Sequence, residues 1–156
     1  MGESFENLKV WQKAYELMLF VHGEVVPLLP REEKWDLADQ IWRSSKSVGA
    51  NIAEGYGRFY YKDRVRFCYN ARGSLTETES HLVDARHLEY ISLQIYQKGR
   101  DLAGEAQRSL NGYIDYLKRE KPGNNEPGID INIDRGHIHF DDDSSCPDPR
   151  SPIPDP

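Results

Sequence analysis

Apolar and small residues recur at steps of three and four from Leu8 to Leu117, and the steps fall into four runs. The first takes Leu8, Trp11, Tyr15, Met18, Val21 and Val25, and the second Ala38, Ile41, Ser45, Val48 and Ile52. The third takes Phe67, Ala71, Leu75, Thr78, Leu82, Ala85 and Leu88. The fourth takes Tyr96, Gly99, Ala103, Ala106, Leu110, Tyr113 and Leu117. Such steps keep side chains on one face of an α-helix, whereas a half-buried strand would alternate. "PLLP" at 27–30 closes the first run, because proline offers no amide donor and disfavours helix in the residue before it. Helices of roughly 20–28 residues with short connections lie antiparallel to their neighbours and bury their stripes together. The pattern predicts an all-α fold, an up-down-up-down antiparallel four-helix bundle.

The first helix carries more apolar surface than one stripe needs. "LMLFV" at 17–21 puts large side chains on nearly every side, and Leu93, Leu102 and Tyr116 lie off the main face of the fourth helix. Two readings stand: a thick core with ordinary exposed apolar residues, or a second face buried between subunits.

Charge divides the chain. Residues 1–121 hold 18 Lys and Arg against 18 Asp and Glu, whereas residues 122–156 hold 2 against 8 and carry the whole net charge of −6. Seven of the 9 prolines also follow residue 121. This predicts a bundle over 1–121 and an acidic, proline-rich, disordered tail over 122–156. Within the tail, alternating Ile129, Ile131 and Ile133 before "DRGHIHF" leave open a small hairpin, and His137 with His139 beside Asp141, Asp142 and Asp143 a weak cation site. No run reaches the ~20 apolar residues of a spanning helix, and the N-terminus lacks the pattern of a signal peptide. The expectation is a cytoplasmic protein without a membrane partner. Cys68 and Cys146 have no metal or disulfide spacing and read as reduced thiols.

"SSKSVGANIAEGYGRFYYKD" at 44–63 is the least ordinary stretch. Its small residues let a neighbouring backbone approach while Val48 and Ile52 keep the stripe. Gly55 suits a left-handed capping position and Gly57 frees the following turn, so both are predicted structural turn residues. A phosphate-cradling loop would follow a strand and precede a helix, and no strand precedes this segment.

"FENLKVWQKAYEL" at 5–17, "QIWRSSKSVGANIAEGYGR" at 40–58 and "FCYNARGSLTETESHLVDARHLEYI" at 67–91 resemble the bacterial four-helix bundle proteins encoded in intervening sequences of 23S rRNA genes. That family is related to the accessory variability determinant of diversity-generating retroelements. The resemblance spans about residues 5–119 and implies a homopentameric ring of four-helix bundles without enzymatic activity. From the retroelement branch it implies contacts with RNA or DNA and with a reverse transcriptase. The tail after Lys121 has no counterpart in the family pattern, and this bundle is neutral where the retroelement proteins are basic.

Candidate chemistry concentrates just after the glycines. Arg58, Lys62, Arg64, Arg66 and Arg72 are interleaved with Tyr56, Phe59, Tyr60, Tyr61 and Tyr69. Cations attract phosphate and aromatic faces stack on unpaired bases, so Arg58, Lys62, Arg64, Arg66, Arg72, Tyr60 and Tyr61 form a candidate nucleic-acid site. The competing reading pairs the arginines with Asp63, Glu54 or Glu77 and packs the tyrosines. Arg43 and Lys46 stand as extensions of the patch. The Glu-x-x-His pairs of a di-iron bundle are absent: Glu77 and Glu79 precede His81 by four and two residues. His22 reads as a boundary histidine. With no nucleophilic or metal constellation, the sequence points to a non-enzymatic scaffold without cofactor or metal. The alternatives are a purely protein-binding adaptor using the acidic tail and a reverse-transcriptase accessory protein.

Overall fold

A computed structural model describes residues 4–123. Four long helices dominate it: α1 (Lys9–Phe20), α2 (Leu37–Tyr56), α3 (Tyr61–His87) and α4 (Leu93–Glu120). α1 continues into a π-helical turn (Val21–Val25) and a 3-10 turn (Val26–Leu28). There the Val26 amide reaches back to the Val21 carbonyl, and Pro27, with no amide to offer, ends the helix. Glu33 holds the start of α2 from two sides. One carboxylate oxygen accepts the Leu37 amide at 3.3 Å and the other the Tyr90 hydroxyl at 3.0 Å. Ser92 caps α4 by accepting the Ile95 amide at 3.2 Å.

Each helix packs on its sequence neighbours, and α4 returns to α1. The pairs run antiparallel. Lys13 in the first half of α1 meets Glu105 near the middle of α4 at 2.9 Å, while Glu24, beyond the end of α1, meets Lys98 near the start of α4 at 2.6 Å. Leu17, Ile41, Ile52, Leu75, Leu82, Leu110 and Leu117 are fully buried along the common axis. Burial of each such side chain stabilises the fold by roughly 1.5–3 kcal/mol. Small residues set the close spacing. A Cβ at Gly99 would lie 2.9 Å from Leu82 Cδ1 and 3.0 Å from Phe20 Cε1. The described residues belong to one compact unit, Met1–Asn125.

The bundle is the one the periodicity predicts, but parts of the stripes are displaced. In α1 the core side chains are Val10, Ala14, Leu17 and Phe20, followed by Val21 in the π-helical turn, whereas Trp11 and Met18 are half-buried and Tyr15 is exposed. Trp11, Tyr15 and Met18 thus form an adjoining face, while one alanine, three aliphatics and Phe20 fill the core. In α3 Val65 and Cys68 replace Phe67 at the core, and Leu88 is exposed where the helix ends. In α4 Ile114 is buried beside a half-buried Tyr113. The expected serine packing holds for Ser44 and Ser45, which are buried, and a polar seam accompanies it. The Thr78 hydroxyl donates to the Ser74 carbonyl at 2.9 Å and lies 3.0 Å from the Ser44 hydroxyl, and the Ser47 and Ser74 hydroxyls lie 2.9 Å apart. Ser45 donates to the Trp42 carbonyl at 3.0 Å, so each of the buried hydroxyls, on Ser44, Ser45 and Thr78, has a partner.

Among the described residues no helix is long and apolar enough to cross a membrane. The expectations for the tail beyond Gly123, including the Ile129–Phe140 hairpin, the His137 and His139 cation site and Cys146, lie outside the described residues.

Candidate nucleic-acid interface

α2 ends by bonding its last amides backward, Gly57 to the Ala53 carbonyl at 3.2 Å and Arg58 to the Gly55 carbonyl at 3.1 Å. Gly57 has φ −72°, and Gly55 lies inside the last helical turn, so the expected left-handed cap is absent. Close approach is what requires Gly55. A Cβ there would stand 3.0 Å from Phe67 Cβ and 3.3 Å from the Arg64 carbonyl oxygen, because α3 folds back directly over this turn.

Two ties hold the short connection from Gly57 to Tyr60. Arg64 Nε donates to the Arg58 carbonyl at 2.6 Å, and the Tyr61 amide donates to the Pro122 carbonyl at 3.1 Å. The second tie brings the C-terminus of α4 to the α2–α3 turn. Lys118, Arg119 and Lys121 therefore arrive at the end of the bundle that already carries Arg58, Lys62, Arg64 and Arg66. Cations also suit the last turn of a helix, where unpaired carbonyls concentrate negative potential. The sequence alone does not place these three residues beside the candidate site. The signal for them was the topology itself, which returns α4 to that end.

The sequence-predicted residues do not all play the same part. Arg58 pairs with Glu54, and its guanidinium lies 4.9 Å from the centre of the Phe67 ring, which Arg66 also approaches at 5.5 Å. Arg66 meets Asp63 at 3.5 Å with its side chain 67% exposed. Arg72 and Lys118 share the Tyr69 ring at 4.8 and 5.3 Å. Arg64 is half-buried and committed to the turn, Lys62 is exposed on the first turn of α3, and Arg119 bonds to Glu120 at 2.9 Å. Tyr61 packs on the core, so it is a wall of the bundle rather than an open ring. Tyr60 is exposed, and so is Phe59, whose ring meets it edge-on with centres 5.1 Å apart. Tyr113 lies under the same end, its hydroxyl pushed up to about 12 chiefly by burial. It stays neutral.

Arg43 and Lys46 do not extend this patch. Arg43 bonds to Asp39 on its own helix, and the Lys46 ammonium sits 4.1 Å above the Trp42 ring on the α1/α2 side. On that side Phe5, Trp11, Tyr15 and Met18 face Gly49, Ala50 and Ala53 across an apolar cavity of about 260 Å³. Among the described residues no group of His, Cys, Asp and Glu side chains is placed to hold a metal ion. Burial pushes the Cys68 thiol up to about 11, which makes it a poor nucleophile.

The family model described as 23S rRNA-intervening sequence protein matches residues 6–112. Among solved structures, the chain is similar to the crystal structure of a protein with unknown function from the S23 ribosomal protein family of Bacteroides thetaiotaomicron VPI-5482. The two are 28% identical with a TM-score of 0.61 over 67% of this chain and 97% of the other. No curated protein matches.

Proposed function

We propose that this chain, which belongs to the 23S rRNA-intervening sequence protein family, is a non-enzymatic cytoplasmic scaffold that assembles into a homo-oligomer and contacts RNA or DNA through one end of its bundle. The observation that carries the reading is the Tyr61–Pro122 tie, which gathers cations from the α2–α3 turn, the start of α3 and the end of α4 around the exposed Phe59 and Tyr60. Phosphate attraction and base stacking need that combination.

Assembly draws support from the large apolar side chains outside the core. Tyr15, Leu19 and Trp42 stand exposed on α1 and α2, and Leu93 and Tyr116 on α4. Single exposed apolar residues are ordinary, but a run along one side of two adjacent helices is the pattern of a surface that a partner covers. The family resemblance makes a pentamer the proposed number. In a ring each basic end would repeat by symmetry. A reverse transcriptase or other nucleic-acid enzyme is the partner class that the retroelement relationship suggests. The adaptor reading, which uses the acidic segment after residue 121, draws on residues outside the described part.

Light scattering after size exclusion tests assembly: a multiple of 18.0 kDa is expected, and an 18.0 kDa monomer at micromolar concentration overturns it. Fluorescence anisotropy with a labelled RNA tests contact. Binding should weaken steeply with salt and fall further in the double variant Arg66→Glu, Lys121→Glu. Absence of binding at about 50 mM salt, where phosphate contacts are strongest, overturns the nucleic-acid reading.

A further inference from the structure

The geometry points to single-stranded nucleic acid, held by stacking of unpaired bases on Phe59 and Tyr60, as the ligand class of the basic end; this rests on the nucleic-acid reading above. Free charge at this end is smaller than the sequence suggests. Arg58, Arg66 and Arg119 each have a carboxylate in place, from Glu54, Asp63 and Glu120. Arg64 is bound to the turn it stabilises. A phosphate must compete with these partners, so charge alone gives this end little grip on a duplex, whose outer surface is its phosphate backbone.

The rings divide in the same way. Phe67 already has Arg58 and Arg66 near its ring, Tyr69 has Arg72 and Lys118, and Tyr61 is packed on the core. Tyr116 on α4 stacks on Tyr113, whereas Phe59 and Tyr60 stand in the connection itself. They are 46% and 44% exposed, and they sit at the tip of the connection with ring planes at 85°. That edge-on arrangement fixes each ring against the other while leaving faces turned in different directions. The backbone on either side is tied by the Arg64 Nε bond to the Arg58 carbonyl and the Tyr61 amide bond to the Pro122 carbonyl, and Gly123 packs closely against Phe59. Rings paired edge-on above a turn with two such ties lose less freedom when a base stacks on them than rings on an untied loop would. A stacked duplex presents no base faces except at its ends, whereas a single strand presents every one.

The test is anisotropy with a labelled 12-nucleotide single strand and the same strand annealed to its complement, on the full chain. The single strand should bind at least tenfold more tightly. Phe59→Leu with Tyr60→Leu keeps apolar bulk and removes the rings; it should cost roughly tenfold for the single strand and leave the duplex unchanged. The paired variants Phe59→Tyr and Tyr60→Phe, which keep the rings, should restore binding. Equal binding of both ligands, or a single strand indifferent to the leucine pair, overturns the inference and leaves the basic-end reading standing. No binding of either ligand at low salt overturns both.

Discussion

The Tyr61 amide and the Pro122 carbonyl, 61 positions apart in the chain, are joined by a 3.1 Å hydrogen bond. This closes α4 onto the first turn of α3, whose leading amides have no partner within their own helix. Lys121 makes the closure possible. It takes a left-handed conformation, φ 46°, and turns the chain so that Pro122 faces α3 and Gly123 lies against Phe59.

The boundary of the stable unit therefore lies just past the compositional one. A chain ending at Lys121 loses the acceptor and should melt lower than one ending at Asn125, by about 0.5–1.5 kcal/mol in a urea titration. Coincident curves for the two truncations would mean that the bond adds nothing to the closed bundle.

Gly55 and Gly112 should respond oppositely to alanine. Alanine favours a helix by about 1 kcal/mol over glycine. At Gly112 the added methyl meets open space, so stability should rise by up to about 1 kcal/mol. At Gly55 it meets Phe67 Cβ and the Arg64 carbonyl, neither of which is the end of a flexible side chain. Overpacking there should reverse the sign, to a loss of about 1 kcal/mol, and valine should cost more than 2. Thermal melts that rank Gly55→Ala above wild type would show that α3 yields.

Helix number, order and direction were legible because each rests on a long repeat in the sequence. Which face of α1 lies inside was not. Trp11, Tyr15 and Met18 have the same spacing as Val10, Ala14 and Leu17, so periodicity alone does not say which set lies inside; burial falls on the second. The basic end was half legible. Arg58 to Arg72 are contiguous enough to notice, whereas Lys118, Arg119 and Lys121 join them only through the topology. The salt links that weaken it, Arg58 to Glu54 and Arg66 to Asp63, have helical or near-helical spacing and were readable as the competing account.

His22 gives the stability a pH dependence with a definite sign. It stacks on Trp42 with ring centres 5.1 Å apart, its Nε2 is buried without a hydrogen-bond partner, and burial, then the Lys46 cation, hold it below its ordinary 6.5. The unfolded chain thus takes up this proton more readily. The contribution is fully present above 6.5 and is lost as pH falls through the depressed folded value. In Lys46→Gln the loss should be smaller, and in His22→Gln this part of the dependence should vanish. Comparison of urea midpoints at pH 7.5 and 5 across the three proteins checks it, with the carboxylates common to all as the background. Equal midpoint shifts in all three would remove His22 as a cause.

Net charge supplies the last test. Removal of residues 126–156 deletes 8 acids and 2 arginines and leaves 18 Lys and Arg against 18 Asp and Glu, so the net charge goes from −6 to 0. A cut after Asn125 keeps Pro122 and Gly123, so the basic end stays intact. An anionic ligand then approaches a neutral protein in place of a repelling one, and its affinity should rise. The gain is long-range and screened, with a Debye length of about 10 Å at 0.1 M salt. It should therefore be largest near 20 mM salt, shrink through 0.15 M and disappear by about 0.5 M. Affinity of a labelled single strand for the full and the shortened chain, measured along that salt series, gives the answer. Curves that coincide at low salt would place the removed charges more than a screening length from the bound strand, and a gain that persists at high salt would point to direct occupation of the site instead of repulsion.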